Sequence, residues 1–201
     1  MIDLLLKITP ILISLISLMI SIIVAWSNRK SLQVEIHKPC EFAEGGTIFF
    51  LDDEGPTPYG DSIWTKIEVV NPSPKDIAFF DLRAFYPSNN TNVDLLTRRT
   101  VSETYRSKSL YRAIQFPDNK VQLTELNIPD ANYGVFKANS FTRFDIVMFP
   151  DPEASELLLS FKVAMKAKIR DKFAVTGRKK FKFYGMAYQI SSWTEPSQSQ
   201  Q

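Results

Sequence analysis

The chain is predicted to be mainly β, with an N-terminal transmembrane helix followed by an antiparallel β-sandwich. Three observations carry that prediction. From Ile8 to Trp26 no side chain is charged. After Arg29, apolar residues recur with period two in segment after segment, the signature of half-buried strands. Between these segments stand clusters of Pro, Asn, Asp and Gly, such as Asn71-Pro72-Ser73-Pro74 and Pro150-Asp151-Pro152, which make corners.

The uncharged run comes first. Its 19 residues, at a helical rise of about 1.5 Å each, give roughly 28 Å, the thickness of a bilayer's hydrocarbon core. Lys7 bounds it on one side, with a stem long enough to reach the headgroups. On the other side Trp26 and then Arg29 and Lys30 form an aromatic and basic interfacial end. A cleaved secretory signal has an apolar core of about 7–15 residues and small residues at −3 and −1 of the cut. Here the run is longer, and its small exit, Ala25, has Ile23 at −3. A retained anchor over residues 1–30 is therefore the reading. The basic residues after the helix outnumber those before it, which predicts a cytoplasmic C-terminal domain in a single-pass cell-membrane protein.

About 170 residues remain, enough for one domain with its own core over 31–190. Leu32, Val34 and Ile36 alternate with polar neighbours and form the first strand. Thr47 to Leu51 is a second, closed by the turn-rich Asp52-Asp53-Glu54-Gly55-Pro56. Ile63, Thr65, Ile67 and Val69 mark a third. In the next, Ile77 to Tyr86, the residues Ala78, Phe80, Leu82 and Ala84 are expected to share one face, and the two strands to pair across the Asn71–Pro74 corner. From Pro87 to Gly134 the pattern is weak, with short strands at Tyr111–Phe116 and Val121–Ile128. Order returns at Phe141–Phe149, then at a long strand Glu156–Ile169 and a last strand Lys179–Ile190. Seven to nine strands in two packed sheets is the expected arrangement. Ser191 to Gln201 is rich in Ser, Gln and Pro, and reads as a disordered tail.

Two of these segments carry a resemblance. Ile67-Glu68-Val69-Val70-Asn71-Pro72-Ser73, with Asn-Pro opening a corner before Ile77, and the Ala138-Asn139-Ser140 turn leading into Phe144-Asp145-Ile146, resemble the immunoglobulin-like β-sandwich domains of bacterial single-pass membrane proteins. The likeness covers about half of the chain. The antibody-type cysteine pair is missing, because Cys40 is the single cysteine. The resemblance implies an adhesive or scaffolding module and no catalytic residues.

Charge is distributed unevenly. The chain as a whole carries a net of +2, but between Ser160 and Tyr184 nine basic residues stand against the single acid Asp171. Alternation puts Phe161, Val163 and Met165 in the core and Lys162, Lys166, Lys168 and Arg170 outside. On the last strand it puts Phe181 and Phe183 inward and Lys180, Lys182 and Tyr184 outward. A basic sheet face is the expected anion- or partner-binding site, and the nearest anion to a cytoplasmic membrane domain is the lipid leaflet. The plain alternative is a solvated outer face whose lysines guard an edge. Nucleic acid is the weaker partner, resting only on Tyr184 and Tyr188 as stacking platforms.

Chemistry has little to work with. His37 is the only histidine, which leaves a Ser-His-Asp or Cys-His arrangement without a second base. Cys40 has no companions at zinc spacing. Asp52, Asp53, Glu54 and Asp61 form an acidic loop off the EF-hand pattern. No cofactor or metal is implied, and the expected function is non-enzymatic binding or scaffolding at a membrane, for lipid or a protein partner. The alternatives are an extracytoplasmic ligand- or envelope-binding module and a cation-dependent membrane-tethered hydrolase.

Overall fold

The computed structural model describes residues 2–27, 29–53, 55–100, 110–115, 121–165 and 181–190. One helix, α1 (Ile2–Ser27), precedes thirteen strands. Its stretch Ile8–Trp26 carries no charge, and none of it is buried against the other described residues. A helix without a polar face has no stable place in water, so this one is long and apolar enough to cross a membrane. Pro10 sits in the first turns, and the Ser21 hydroxyl returns to the Ser17 carbonyl at 2.8 Å. At the far end Arg29 lies over the Trp26 ring, 5.4 Å from its centre.

The strands are β1 (Gln33–Ile36), β2 (Glu41–Ala43), β3 (Ile48–Asp52), β4 (Gly55–Pro58), β5 (Ser62–Asn71), β6 (Ile77–Phe85) and β7 (Asn92–Leu95). They continue as β8 (Leu110–Gln115), β9 (Gln122–Glu125), β10 (Gly134–Phe136), β11 (Ser140–Phe149), β12 (Glu156–Val163) and β13 (Lys182–Gln189). All pairings are antiparallel. One layer runs β1-β5-β11-β7, with β2 also on β5; the facing layer runs β6-β12-β13, with β10 on β6. β7 pairs with β11 and with β6, so it joins the two layers along one side.

Between these layers lies the main core. Ile63, Ile67 and Val69 of β5 and Ile146 and Met148 of β11 meet Phe79 of β6 and Leu157, Leu159 and Phe161 of β12. Phe79 stacks on Phe136 at 4.7 Å between ring centres and meets Phe144 of the opposite layer at 5.7 Å. Each such aromatic pair contributes about 0.5–1.5 kcal/mol beyond its buried area.

A third layer, β4-β3-β8-β9, was not expected from the sequence. It covers the other face of β5 and β11, where Trp64 and Val147 pack with Ile48, Tyr111, Ala113, Leu126 and Ile128 in a second core. That explains why β5 is buried on both faces through its first half. Asp145, 1% exposed, lies on the face of β11 that bears Val147, beside the second core. Its carboxylate accepts from Trp64 Nε1 at 3.3 Å, Arg143 Nη2 at 3.1 Å and the Asn127 backbone N–H at 2.9 Å.

Four expectations are corrected. The arrangement is three layers and thirteen strands, not two layers and seven to nine. β5 and β6 do not pair: they lie in opposite layers, and the 71–76 corner is an arch between them. Its shape is held by the buried Asn71, whose amide donates to the carbonyls of Lys75 (3.0 Å), Phe136 (3.1 Å) and Lys137 (2.9 Å) and whose Oδ1 accepts from Ser73. Within β6 the inward residues are Ile77, Phe79, Leu82 and Ala84, not Ala78 and Phe80 with the latter two. The cause is a β-bulge, where Asp81 and Leu82 together oppose Phe161, with Asp81 at a φ of 57°. One extra residue flips the alternation on its far side. Finally, β12 ends at Val163, and residues 166–169 of the expected strand lie outside the described residues.

Candidate functional site

The chain enters the sandwich at Gln33, with five residues between it and the end of α1. Five extended residues reach at most about 20 Å, so the end of the sandwich where β1 begins is the end tied to α1, here called the anchored end. Register fixes what else lies there. Gln33 pairs with Val70, and Val70 with Phe141. The arch 71–76 and the turn 137–139 join the same strand ends, with the Ala138 N–H donating to Asp76 Oδ1 at 2.8 Å. Phe136 pairs with Ile77, and Val163 pairs with Phe79 and with Lys182. Met165 and Phe181, which flank residues 166–180, therefore both lie at the anchored end.

The predicted anion site is divided by this geometry. Lys166, Lys168, Arg170 and Lys180 lie outside the described residues. Lys162 and Lys182 do not share a face, because Lys162 is opposite Phe183 while Lys182 is opposite the inward Val163. Lys162 Nζ is bound to Asp81 Oδ2 at 2.5 Å and lies over the Phe181 ring. Lys182 Nζ lies 5.8 Å from the centre of the Tyr184 ring. The last strand has the reverse of the predicted phase: Tyr184, Met186 and Tyr188 pack on the core, while Phe183 is exposed. Tyr184 stacks on Phe161 at 5.5 Å. The buried Tyr188 hydroxyl donates to the His37 carbonyl at 2.7 Å, and burial pushes its pKa upward. Neither ring is free to stack on a base.

Among the anchor residues, Lys7 lies within α1, while Trp26 and Lys30 are exposed. Of the acidic loop, Asp61 accepts from the Gly45 N–H at 2.7 Å, and among the described residues no group of His, Cys, Asp or Glu gathers as a metal cage. His37 Nε2 stands 3.7 Å from Glu68. Cys40 is a free thiol, and burial pushes its pKa upward.

The turns at the two ends of the sandwich differ in charge. The turns at the anchored end carry Lys75 and Lys137, with the single acid Asp76 held by the Ala138 N–H and Lys137, which lower its pKa. The opposite rim carries Asp151, Glu153 and Glu156 beside an open cleft of about 610 Å³ against Tyr86 and Pro87. Tyr86 closes that rim, its hydroxyl accepting from the Asp151 N–H at 2.6 Å.

Sequence reasoning missed one class of residue. Val70 (38% exposed), Val135 (46%), Phe141 (60%) and Phe183 (55%) all leave apolar side chains in solvent near the anchored end. Period-two alternation could have placed Val70 and Phe141 on the outer face of their strands. Only the register shows that they are neighbours. Comparison with protein-family models, with curated proteins and with solved structures returned no match.

Proposed function

We propose that the chain is a single-pass membrane protein whose β-sandwich acts as a non-enzymatic binding or scaffolding module, drawn down onto an anionic leaflet by the basic segment between β12 and β13. One observation carries the reading. The segment that holds Lys166, Lys168, Arg170 and Lys180 starts and ends on the anchored rim, so it is tethered within reach of the bilayer. Each basic residue near an anionic surface contributes about 1 kcal/mol. Several acting together outweigh the modest entropy of holding down a domain that is already attached.

The order of the layers supports an immunoglobulin-like assignment for the sandwich. Taking β1, β5, β6, β7, β11, β12 and β13 as the seven strands of that fold in sequence, the first layer corresponds to its A-B-E-D sheet and the second to its C-F-G sheet. Domains of this type present binding surfaces on a rigid frame and supply no chemistry of their own. The orientation follows from the positive-inside rule, with the domain on the cytoplasmic side.

The test is hydrogen exchange on the full chain in nanodiscs. Amides of residues 166–180 exchange more slowly in discs with anionic lipid than in zwitterionic discs, and 0.5 M salt removes the difference. Equal exchange in both discs rejects the charge contact. Protease added to sealed vesicles of each orientation reads the topology, and digestion from the extracytoplasmic side reverses it.

A further inference from the structure

The apolar side chains near the anchored rim are not scattered. Val70 and Phe141 pair on the outer face of one layer. Val135 pairs with Ala78, and Phe183 is opposite Lys162, on the outer face of the other. Phe141 is the second residue of β11, Phe183 the second of β13 and Val70 the last but one of β5. Phe183 is level with Phe80 and Val135 with Ala78, so at a rise of about 3.3 Å per residue the four lie within roughly 10 Å of the strand ends. That matches the depth of about 5–10 Å at which apolar groups settle in the headgroup region of a bilayer.

We infer that this rim is a membrane-insertion surface, in which Phe141 and Val70 on one layer and Val135 and Phe183 on the other enter the interface of the bilayer that α1 crosses. The inference rests on the membrane-anchored part of the proposed function and not on its charge contact.

Three features select lipid as the occupant. The tether of five residues keeps this rim, and not the acidic opposite one, next to the headgroups. The apolar residues belong to both outer faces, so they girdle an end instead of forming one flat patch. The turns between them carry Lys75 and Lys137, the mixture of apolar and basic groups that suits an anionic interface. The rim is also stiff, because Asn71 ties the arch to Phe136 and Lys137. Little order must be created on contact.

The test places an environment-sensitive fluorophore on Phe141→Cys, on Phe183→Cys and, as the far-rim control, on Asn89→Cys. Cys40 is removed as Cys40→Ser, with Cys40→Ala as a second background. Full chains are reconstituted in vesicles of phosphatidylcholine alone or with phosphatidylserine, with and without lipids bearing a nitroxide near the headgroup. The expected result is blue-shifted emission at 141 and 183, with nitroxide quenching at least twofold greater than at 89. Quenching in both vesicle types without protection of 166–180 supports insertion and removes the charge contact. Protection of 166–180 without quenching at 141 and 183 overturns insertion and leaves the charge contact standing. Quenching at only one of the two positions, equal quenching at 89, or a blue shift without quenching also overturns insertion.

Discussion

Replacing Asn71 by alanine tests whether one side chain holds the arch that crosses between the layers. The amide makes three donor contacts, to Lys75, Phe136 and Lys137, and Oδ1 accepts from the backbone and the hydroxyl of Ser73. Alanine removes all of them. The carbonyls of Lys75 and Lys137 are partly open, so water can take over there, and Lys75 keeps the Ser73 hydroxyl at 3.1 Å. The Phe136 carbonyl and the Ser73 N–H are buried and lose their Asn71 partner. An unsatisfied buried group costs about 1–3 kcal/mol, so the two together cost roughly 2–6 kcal/mol. For a domain of this size each kcal/mol moves Tm by about 2–4 °C, and a fall of roughly 10 °C is expected. Urea unfolding of the full chain in detergent micelles, followed by the strand circular dichroism band, measures it. Asn71→Asp adds a control: it keeps the acceptor for Ser73 but presents a carboxylate to two carbonyls, and should be no more stable than alanine. A loss below about 1 kcal/mol for Asn71→Ala refutes the argument, because it would mean that water or a neighbour replaces the buried partners.

Asp145→Ala leaves Trp64 Nε1 and the Asn127 N–H without their acceptor beside the second core, and should lower unfolding free energy by about 2–4 kcal/mol; an unchanged urea midpoint contradicts it. Gly134→Ala would put a methyl group 2.7 Å from Phe79 Cε1, a ring packed against Phe136, Phe144 and Phe161. Overpacking of that kind costs about 1–3 kcal/mol, and Phe79→Leu in the same chain should recover part of it in the same titration. Asp76 gives a pH dependence of known sign. The Ala138 N–H first, and Lys137 second, hold its folded pKa below the ordinary 3.8, so its stabilisation is present above that value and disappears as pH falls through the folded pKa. The stability difference between the parent chain and Asp76→Asn should therefore be flat near neutrality and shrink below pH 3.8, and a gap that widens there contradicts the assignment.

The apolar span, the first strand and the strands beginning at Ile63 and Phe141 were legible because alternation and turn residues agree in them. Two kinds of information were not. Phase within a strand is lost at a bulge, and nothing in Ala78-Phe79-Phe80-Asp81-Leu82 announces that Asp81 takes positive φ. The last strand failed for a related reason: aromatic residues occur at both Phe183 and Tyr184, so composition could not choose between opposite phases. Pairing of distant segments was also hidden. Trp64 and Val147 look like residues of a solvent face until β3 and β8 are known to cover them. The basic run was plain in the sequence, but a face had to be assumed for it, whereas the register supplies an end.

The covering of β5 and β11 by the small layer also limits how the chain could be shortened. Stripped of residues 44–61 and 110–128, the remaining strands would show water the greasy back of Trp64 and Val147, and neighbouring molecules would stick together there. The minimal unit that can travel between proteins is thus the laminate of three sheets, and length can vary more safely in the 86–91 and 151–155 connections, at the end opposite α1.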